Sequence, residues 1–209
     1  QDIYALAPLQ DGILFHHLLA QHGDPYTLSV VLRFDEHSSF DRYRDALQQV
    51  ADRHDILRTG FFWQGLQSPV QVVLRQATIQ VETCALDPAA GDYADQLRKH
   101  FDPRSYRMNL AHAPLLRFVI AHHPDGACYA LQLLHHIVGD HATLEMIFKE
   151  AVIILKGEAA TLPAPQPYRN LIAQVRLGDR QKDHDGFFRQ MLGDIDSPTL
   201  PFGIQDVHL

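Results

Sequence analysis

Apolar positions recur along the chain in two rhythms, and the switch between them lays out alternating helices and strands. Residues 8–21 place Leu9, Ile13, Leu14 and Leu18 at helical spacing, and His22-Gly23-Asp24-Pro25 stops the run. Residues 26–35 (YTLSVVLRFD) are rich in β-branched and aromatic types and predict a strand. A helix follows, with Ser38 or Ser39 as its cap and Phe40, Tyr43, Leu47, Val50 and Ala51 as one apolar stripe. The runs 56–63 and 68–75, split by Gln64-Gly65, predict a hairpin. A strand over 79–84 precedes a helix opened by Pro88 and running to about His100. The runs 114–123 and 127–136 form a second strand pair across the turn Pro124-Asp125-Gly126. The latter run passes through Ile137-Val138-Gly139 into a helix reaching about Leu155, with Leu144, Ile147, Phe148, Ala151 and Leu155 turned inward. A Pro-punctuated connector (161–168) and helical segments near 169–177 and 180–192 complete the pattern. No repeat of 20–50 residues is present. The alternation predicts an α/β class, with helices packed on a mixed β-sheet as a two-layer sandwich.

Composition narrows the functional classes. Eighteen Lys+Arg against twenty-five Asp+Glu give a formal charge of −7, and the basic residues form no cluster, which argues against nucleic-acid binding. No apolar run approaches the roughly 18 residues of a membrane span. Cys84 and Cys128 are too few and too unpatterned for a disulfide framework or a zinc site, so a reducing cytoplasmic setting is the default. The chain begins at Gln1 without Met and ends in PFGIQDVHL, and it reads as a piece of something longer. What departs from the ordinary is histidine. There are 14, and several are paired: His16-His17, His122-His123 and His135-His136.

The segment His135-His136-Ile137-Val138-Gly139-Asp140-His141 falls where a buried strand gives way to a helix, the place where α/β proteins set catalytic groups. Strand alternation turns His135 and His136 to opposite faces. Asp140 is placed to cap the helix, and equally to pair with an arginine. An imidazole suits proton transfer near neutrality. Three readings stand at this point: a catalytic histidine, a structural pair with one ring packed and one exposed, or metal ligation by His136, Asp140 and His141. An HHxxxD string arises by chance about once in ten chains of this composition, so alone it decides little. Cys128 lies about 26 Å from His136 along an extended strand, which disfavours a Cys–His pair. Gly-rich phosphate loops and G-x-S-x-G elbows are absent.

Two further strings supply context. HHIVGDH (135–141) resembles the HHxxxDG motif of condensation domains of non-ribosomal peptide synthetases, within the chloramphenicol-acetyltransferase-like superfamily. LAPLQDGILFH (6–16) resembles that family's opening motif, and RHDILRTGF (53–61) resembles its RHxxLRTxF. Weaker echoes follow at 108–117 and 167–174. HHLLAQHGD (16–24) is similar to the extra HH[I/L]xxxxGD motif of dual epimerisation/condensation domains, against the plainer alternative that His16 and His17 lie idle on the exposed side of a helix. His122-His123 matches no motif and is taken as a solvated strand end.

The resemblance implies one lobe over residues 1–209, with a core at 1–160 and connector and terminal helices at 161–209. It also implies an amide-bond-forming acyltransferase that epimerises its donor. Among the site residues, His136 would accept a proton, and His135, Asp140, His16 and His17 would complete the catalytic set. Gly23, Asp24, Gly139 and His141 would support it, with Asp140 salt-bridged to Arg58 or Arg53. No metal and no cofactor of its own is implied. Substrates would arrive on the 4′-phosphopantetheine of upstream and downstream peptidyl carrier proteins, beside an adenylation domain. Condensation domains face two similar lobes across a tunnel, and the chain matches the first. The lone lobe is therefore expected to fold and to turn over little, and to dimerise through its open face. The usual last Gly of HHxxxDG is His141 here, which would either supply the same backbone N–H or narrow the tunnel. Rival readings are an acyltransferase using coenzyme A esters, a plain D-donor condensation domain, and a silent carrier-docking domain.

Overall fold

The computed structural model describes residues 2–179 and 183–197. Residues 180–182, where a helix start was expected, and the PFGIQDVHL terminus lie outside the described residues. Two sheets form. The larger has the order β2-β7-β6-β5, from β2 (Thr27–Phe34), β5 (Gln80–Thr83), β6 (Leu116–His122) and β7 (Cys128–His135). Its pairings are antiparallel except β5–β6, which is parallel, so the sheet is mixed as expected. A smaller antiparallel sheet has the order β1-β4-β3, from β1 (Asp2–Ala5), β3 (Thr59–Phe62) and β4 (Val70–Val73). The hairpin expected at 56–75 is β3–β4, although its opening residues Asp55–Arg58 coil into a 3-10 turn instead.

Alternation along β6 and β7 builds two cores. Phe118, Ile120, Cys128, Ala130 and Leu134 face α2 (His37–Arg53) and α4 (His141–Leu155), whose Phe40, Leu47, Val50, Ile147 and Ala151 complete the main core. Phe118 sits edge-on against Phe40 and Tyr43, with ring centroids 5.3 and 6.1 Å apart. Val119, Ala121, Leu131 and Leu133 point the other way and are covered by Tyr93, Leu97 and Phe101, the first two on α3 (Tyr93–His100). A parallel β5–β6 pair requires a crossover, and α3 lies in that connection. Tyr43 donates from its hydroxyl to Gln132 at 3.0 Å across the sheet face, and burial pushes its pKa up to about 12.

Several expected details changed. Leu9 and Leu18 of α1 (Pro8–Leu19) are exposed, and the helix buries Gln10, Ile13, Leu14 and His17 instead. The stripe keeps its i, i+3, i+4, i+7 spacing, but two polar residues occupy it because their partners are buried too. Neither serine caps α2: its N-cap is Glu36, and Ser38 donates to the Glu36 carboxylate at 3.0 Å. The helix expected from Pro88 splits into a 3-10 turn (Pro88–Ala90) and α3. Gly91 at φ +99° separates the two, and Asp92 caps α3 by accepting from the Ala94 and Asp95 N–H groups. Phe148 and Leu155 of α4 are exposed, because the stripe facing α2 and the sheet is Leu144, Ile147, Ala151 and Ile154.

The chain divides into two compact units, 1–172 and 173–209. The second holds most of α5 (Tyr168–Asp179) and α6 (His184–Leu192), which Asp183 caps by accepting from the Gly186 N–H. No helix among the described residues is long and apolar enough to cross a membrane. Phe118→Ala should cost about 3–5 kcal/mol of stability, measured by urea unfolding, because it removes the ring that locks α2 to the sheet.

Candidate active site

β7 delivers His135 as its last residue, and His136 begins the 3-10 turn His136–Val138 that leads to α4. The chain turns there, so the two rings part. His135 is fully buried, whereas His136 is half-buried. The Ile137 N–H donates to His135 Nδ1 at 3.1 Å, which leaves Nε2 to carry the proton. Nε2 donates that proton to Asp24 Oδ2 at 2.8 Å. Burial holds the His135 pKa below its ordinary value despite the opposing pull of Asp24, consistent with a neutral ring.

Asp24 is the hub. It is fully buried, and the same carboxylate accepts a second hydrogen bond from His17 Nδ1, while its other oxygen accepts from the Tyr26 N–H at 3.0 Å. Burial pushes the Asp24 pKa up, but the bonds from His135, His17 and Tyr26 outweigh it and hold the carboxyl well below the usual range. The approach depends on Gly23. At φ +66° it turns the chain, and a Cβ there would stand 2.4 Å from the Pro103 and Arg104 backbone. Asp24 N–H donates to the Pro103 carbonyl at 2.7 Å, fastening the turn.

A second, shallower link joins the same segments. His16, exposed on α1, meets the Tyr26 hydroxyl through Nδ1 at 2.6 Å, and the Tyr26 carbonyl accepts the His136 N–H at 2.8 Å. His17 supports the first member of the 135–136 pair through Asp24, and His16 supports the second through Tyr26. Arg107 donates to the carbonyls of His17 and Ala20, placing a positive charge where the α1 dipole is negative. The alternative in which both members of the first pair lie exposed and idle does not hold for His17, which is 3% exposed.

Gln10 holds the turn from a third side. Its amide donates to the Ile137 carbonyl at 3.1 Å, and its oxygen accepts from Ala7 N–H and from Gln71, each at 2.9 Å. Gln71 also donates to the Ala5 carbonyl at 3.0 Å. Asp140 caps α4, accepting from the Thr143 N–H at 2.9 Å and its hydroxyl at 3.0 Å, which keeps its carboxyl below the ordinary range. Among the described residues the His136 ring makes no hydrogen bond, alone in the set of His16, His17, His135 and His136. A fixed backbone carrying an uncommitted imidazole can receive a proton from a bound molecule.

A condensation domain family model matches residues 1–201. The chain belongs to the condensation domain family. It is 56% identical over 207 residues to malpinin synthetase and 54% identical over 208 residues to malpibaldin synthetase, both from Mortierella alpina. Those matches take in 99% and 100% of the chain but 3% and 4% of the relatives' own lengths. The fold is that of the first condensation domain of the calcium-dependent antibiotic synthetase in complex with substrate analogue 3a. There the TM-score is 0.73 at 13% identity, over 95% of this chain and 50% of that one.

This condensation domain segment places its arginines elsewhere than expected. Asp140 pairs with neither Arg58 nor Arg53. Arg58 bonds Asp55 at 2.9 Å and the carbonyls of Leu74 and Arg75, closing the end of the β3–β4 hairpin. Arg53 and His54 share Glu150 of α4 at 3.2 and 2.9 Å, and Arg53 also donates to the Pro163 carbonyl at 2.7 Å. The RHDILRTGF string thus clamps α2 to α4 and to the connector. Asp140 spends Oδ1 on the helix start and is exposed to solvent, so it needs no cation. His135 and His17 were expected in the catalytic set. His135 is fully buried with its ring nitrogens spent on Asp24 and Ile137, and His17 is buried against Asp24. His141 lies outward on the first turn of α4, its side chain 89% exposed and 3.4 Å from Glu145. Gly139 lies against Thr143, where a Cβ would come within 2.5 Å of that side chain. His136, Asp140 and His141 do not form a metal-binding cluster among the described residues.

Asp24→Asn should destabilise the chain by about 1–3 kcal/mol at pH 7, because the amide cannot accept every bond the buried carboxylate accepts and leaves a buried donor unpaired. The folded carboxyl titrates below its unfolded value of about 3.9, so its contribution is complete above that value and is lost as pH falls towards the folded one. Urea unfolding should therefore show the gap between wild type and variant narrowing only below about pH 4.

Proposed function

We propose that the chain is the HHxxxD-bearing half of a dual epimerisation/condensation domain of a non-ribosomal peptide synthetase. Peptide-bond formation is the general work of its family, and the observation that carries the finer reading is the Asp24 hub. HHLLAQHGD is physically part of the same cluster as HHIVGDH, so the extra string bears on His136 from beneath. The donor would arrive as a thioester on the 4′-phosphopantetheine arm of an upstream peptidyl carrier protein, and the acceptor amine on a downstream one. The opposing lobe and an adjacent adenylation domain complete the assembly.

In epimerisation, His136 takes the Cα proton from one face of the thioester, and return of a proton to the other face inverts the centre. In condensation, the acceptor nitrogen attacks the thioester carbonyl and the C–S bond breaks. The thiol leaves with the proton that His136 has accepted or directed. Tyr26 and Asp24 fix where His136 stands, and the opposing lobe excludes water that would otherwise compete. His135, His17 and Asp24 are positioning residues in this scheme.

The test uses the complete domain, an L-aminoacyl upstream carrier protein and deuterated buffer. Deuterium should appear at the donor Cα, and His136→Ala should slow both exchange and peptide-bond formation by about 10²–10⁴-fold with near-native circular dichroism. Condensation without exchange would leave a plain D-donor condensation domain, and unimpaired His136→Ala would remove His136 from the mechanism.

A further inference from the structure

The far end of the same hairpin carries a second cluster. His122 ends β6 and Cys128 opens β7, and the two are directly paired across the hairpin, so their side chains share a face. Cys128 lies in the core lined by α2, and the first residue of α2 is His37. The His37 and His122 rings meet at 4.9 Å, and one donor atom from each of His37, His122 and Cys128 lies within 4.8 Å of the others. Asp41 follows His37 by one helical turn, with its carboxylate 3.5 Å from His37 Nε2, and its charge is felt at the Cys128 thiol. Its other oxygen holds Arg44 at 2.7 Å. His122, taken as part of a solvated strand end, is therefore one of a four-residue group. It stands about 23 Å along β7 from His135, remote from the candidate active site.

We propose that His37, His122, Cys128 and Asp41 form a binding site for a thiophilic divalent cation of the zinc type. Two ligands come from one turn of a helix and two from the ends of a hairpin. Imidazole, thiolate and carboxylate are the donors that four-coordinate Zn²⁺ takes. Bonds of about 2.0–2.3 Å would bring the His37, His122 and Cys128 donors to about 3.3–3.8 Å from each other, a closure of roughly 1 Å, and Asp41 would follow from its place beside His37. Both imidazoles lie at the surface, which gives the ion an entry path and the rings room to turn. The thiol is fully buried, and binding releases one proton as the S–H bond is exchanged for an S–metal bond. Thiolate and Asp41 then balance the two positive charges. The ion would staple the β6–β7 turn to the start of α2.

Co²⁺ titration of the reduced 209-residue chain tests the site. Wild type should bind one Co²⁺ with a thiolate-to-cobalt charge-transfer band in the near ultraviolet and the strong visible bands of a four-coordinate ion, both erased by Zn²⁺. Cys84→Ser should leave the spectrum unchanged, and Cys128→Ser should remove the charge-transfer band. His37→Gln and His122→Gln, surface changes that spare the core, should weaken binding about 100-fold or more, since even outer supporting groups cost about 10–100-fold. Affinity should rise with pH through the released proton. Absence of the band in wild type, its loss in Cys84→Ser or its persistence in Cys128→Ser overturns the proposal. So does unchanged affinity in both histidine variants, which decides the matter even where Cys128→Ser fails to fold.

Discussion

Everything near the candidate active site depends on a carboxylate that has no access to water. Asp24 is fully buried, and a bare charge there would be prohibitive. It is tolerated because His135, His17 and the Tyr26 N–H all donate to it. The three donors come from the end of β7, from α1 and from the turn before β2, so the single group ties together three segments that the sequence holds far apart. Partial satisfaction would be worse than an apolar core, which makes the cluster an all-or-none feature of the fold. Its consequence is local and chemical. His136 follows directly on His135 and inherits a fixed backbone, while its own ring stays uncommitted.

The same division of labour runs through the other motif residues. Gln10 occupies a core position of α1 in order to reach the Ile137 carbonyl. Arg53, His54 and Arg58 clamp helices and hairpin ends rather than the catalytic turn. Asp140 holds the start of α4. Conspicuous polar residues here act on backbone groups and on one another, and the His136 ring is the one they leave alone.

Much of this was legible in the residues. The stripe of α2, the β6–β7 hairpin and the cap at Asp140 follow from local rules that need only a few neighbouring positions. Leu9 and Leu18 turn outward because apolar spacing counts hydrophobic residues and cannot know that Gln10 and His17 have buried partners, and Phe148 and Leu155 because α4 faces α2 and the sheet with the Leu144, Ile147, Ala151 and Ile154 stripe. Tyr26 gave no signal as a link, since its hydroxyl and carbonyl matter only once α1 and the His136 turn are adjacent. Gln71 escaped for the same reason. The expected pairing of Asp140 with an arginine failed because a carboxylate at a helix N-terminus already finds donors within three residues, and the nearer partners won.

By itself the sequence determined the mixed α/β alternation, the strand-to-helix junction bearing the paired histidines, and the likeness to condensation domains. Those are properties of local pattern and ordered motifs, and they hold however the elements pack. Only the tertiary structure decided which histidine of each pair is buried and which is open to solvent. It also decided that His17 and His135 share one acid, and that His37, His122 and Cys128 converge at the far end of the hairpin. Each of these rests on burial and on contacts across tens of residues. Side-chain bonds of that range are fixed by how elements pack, and no spacing along the chain encodes them.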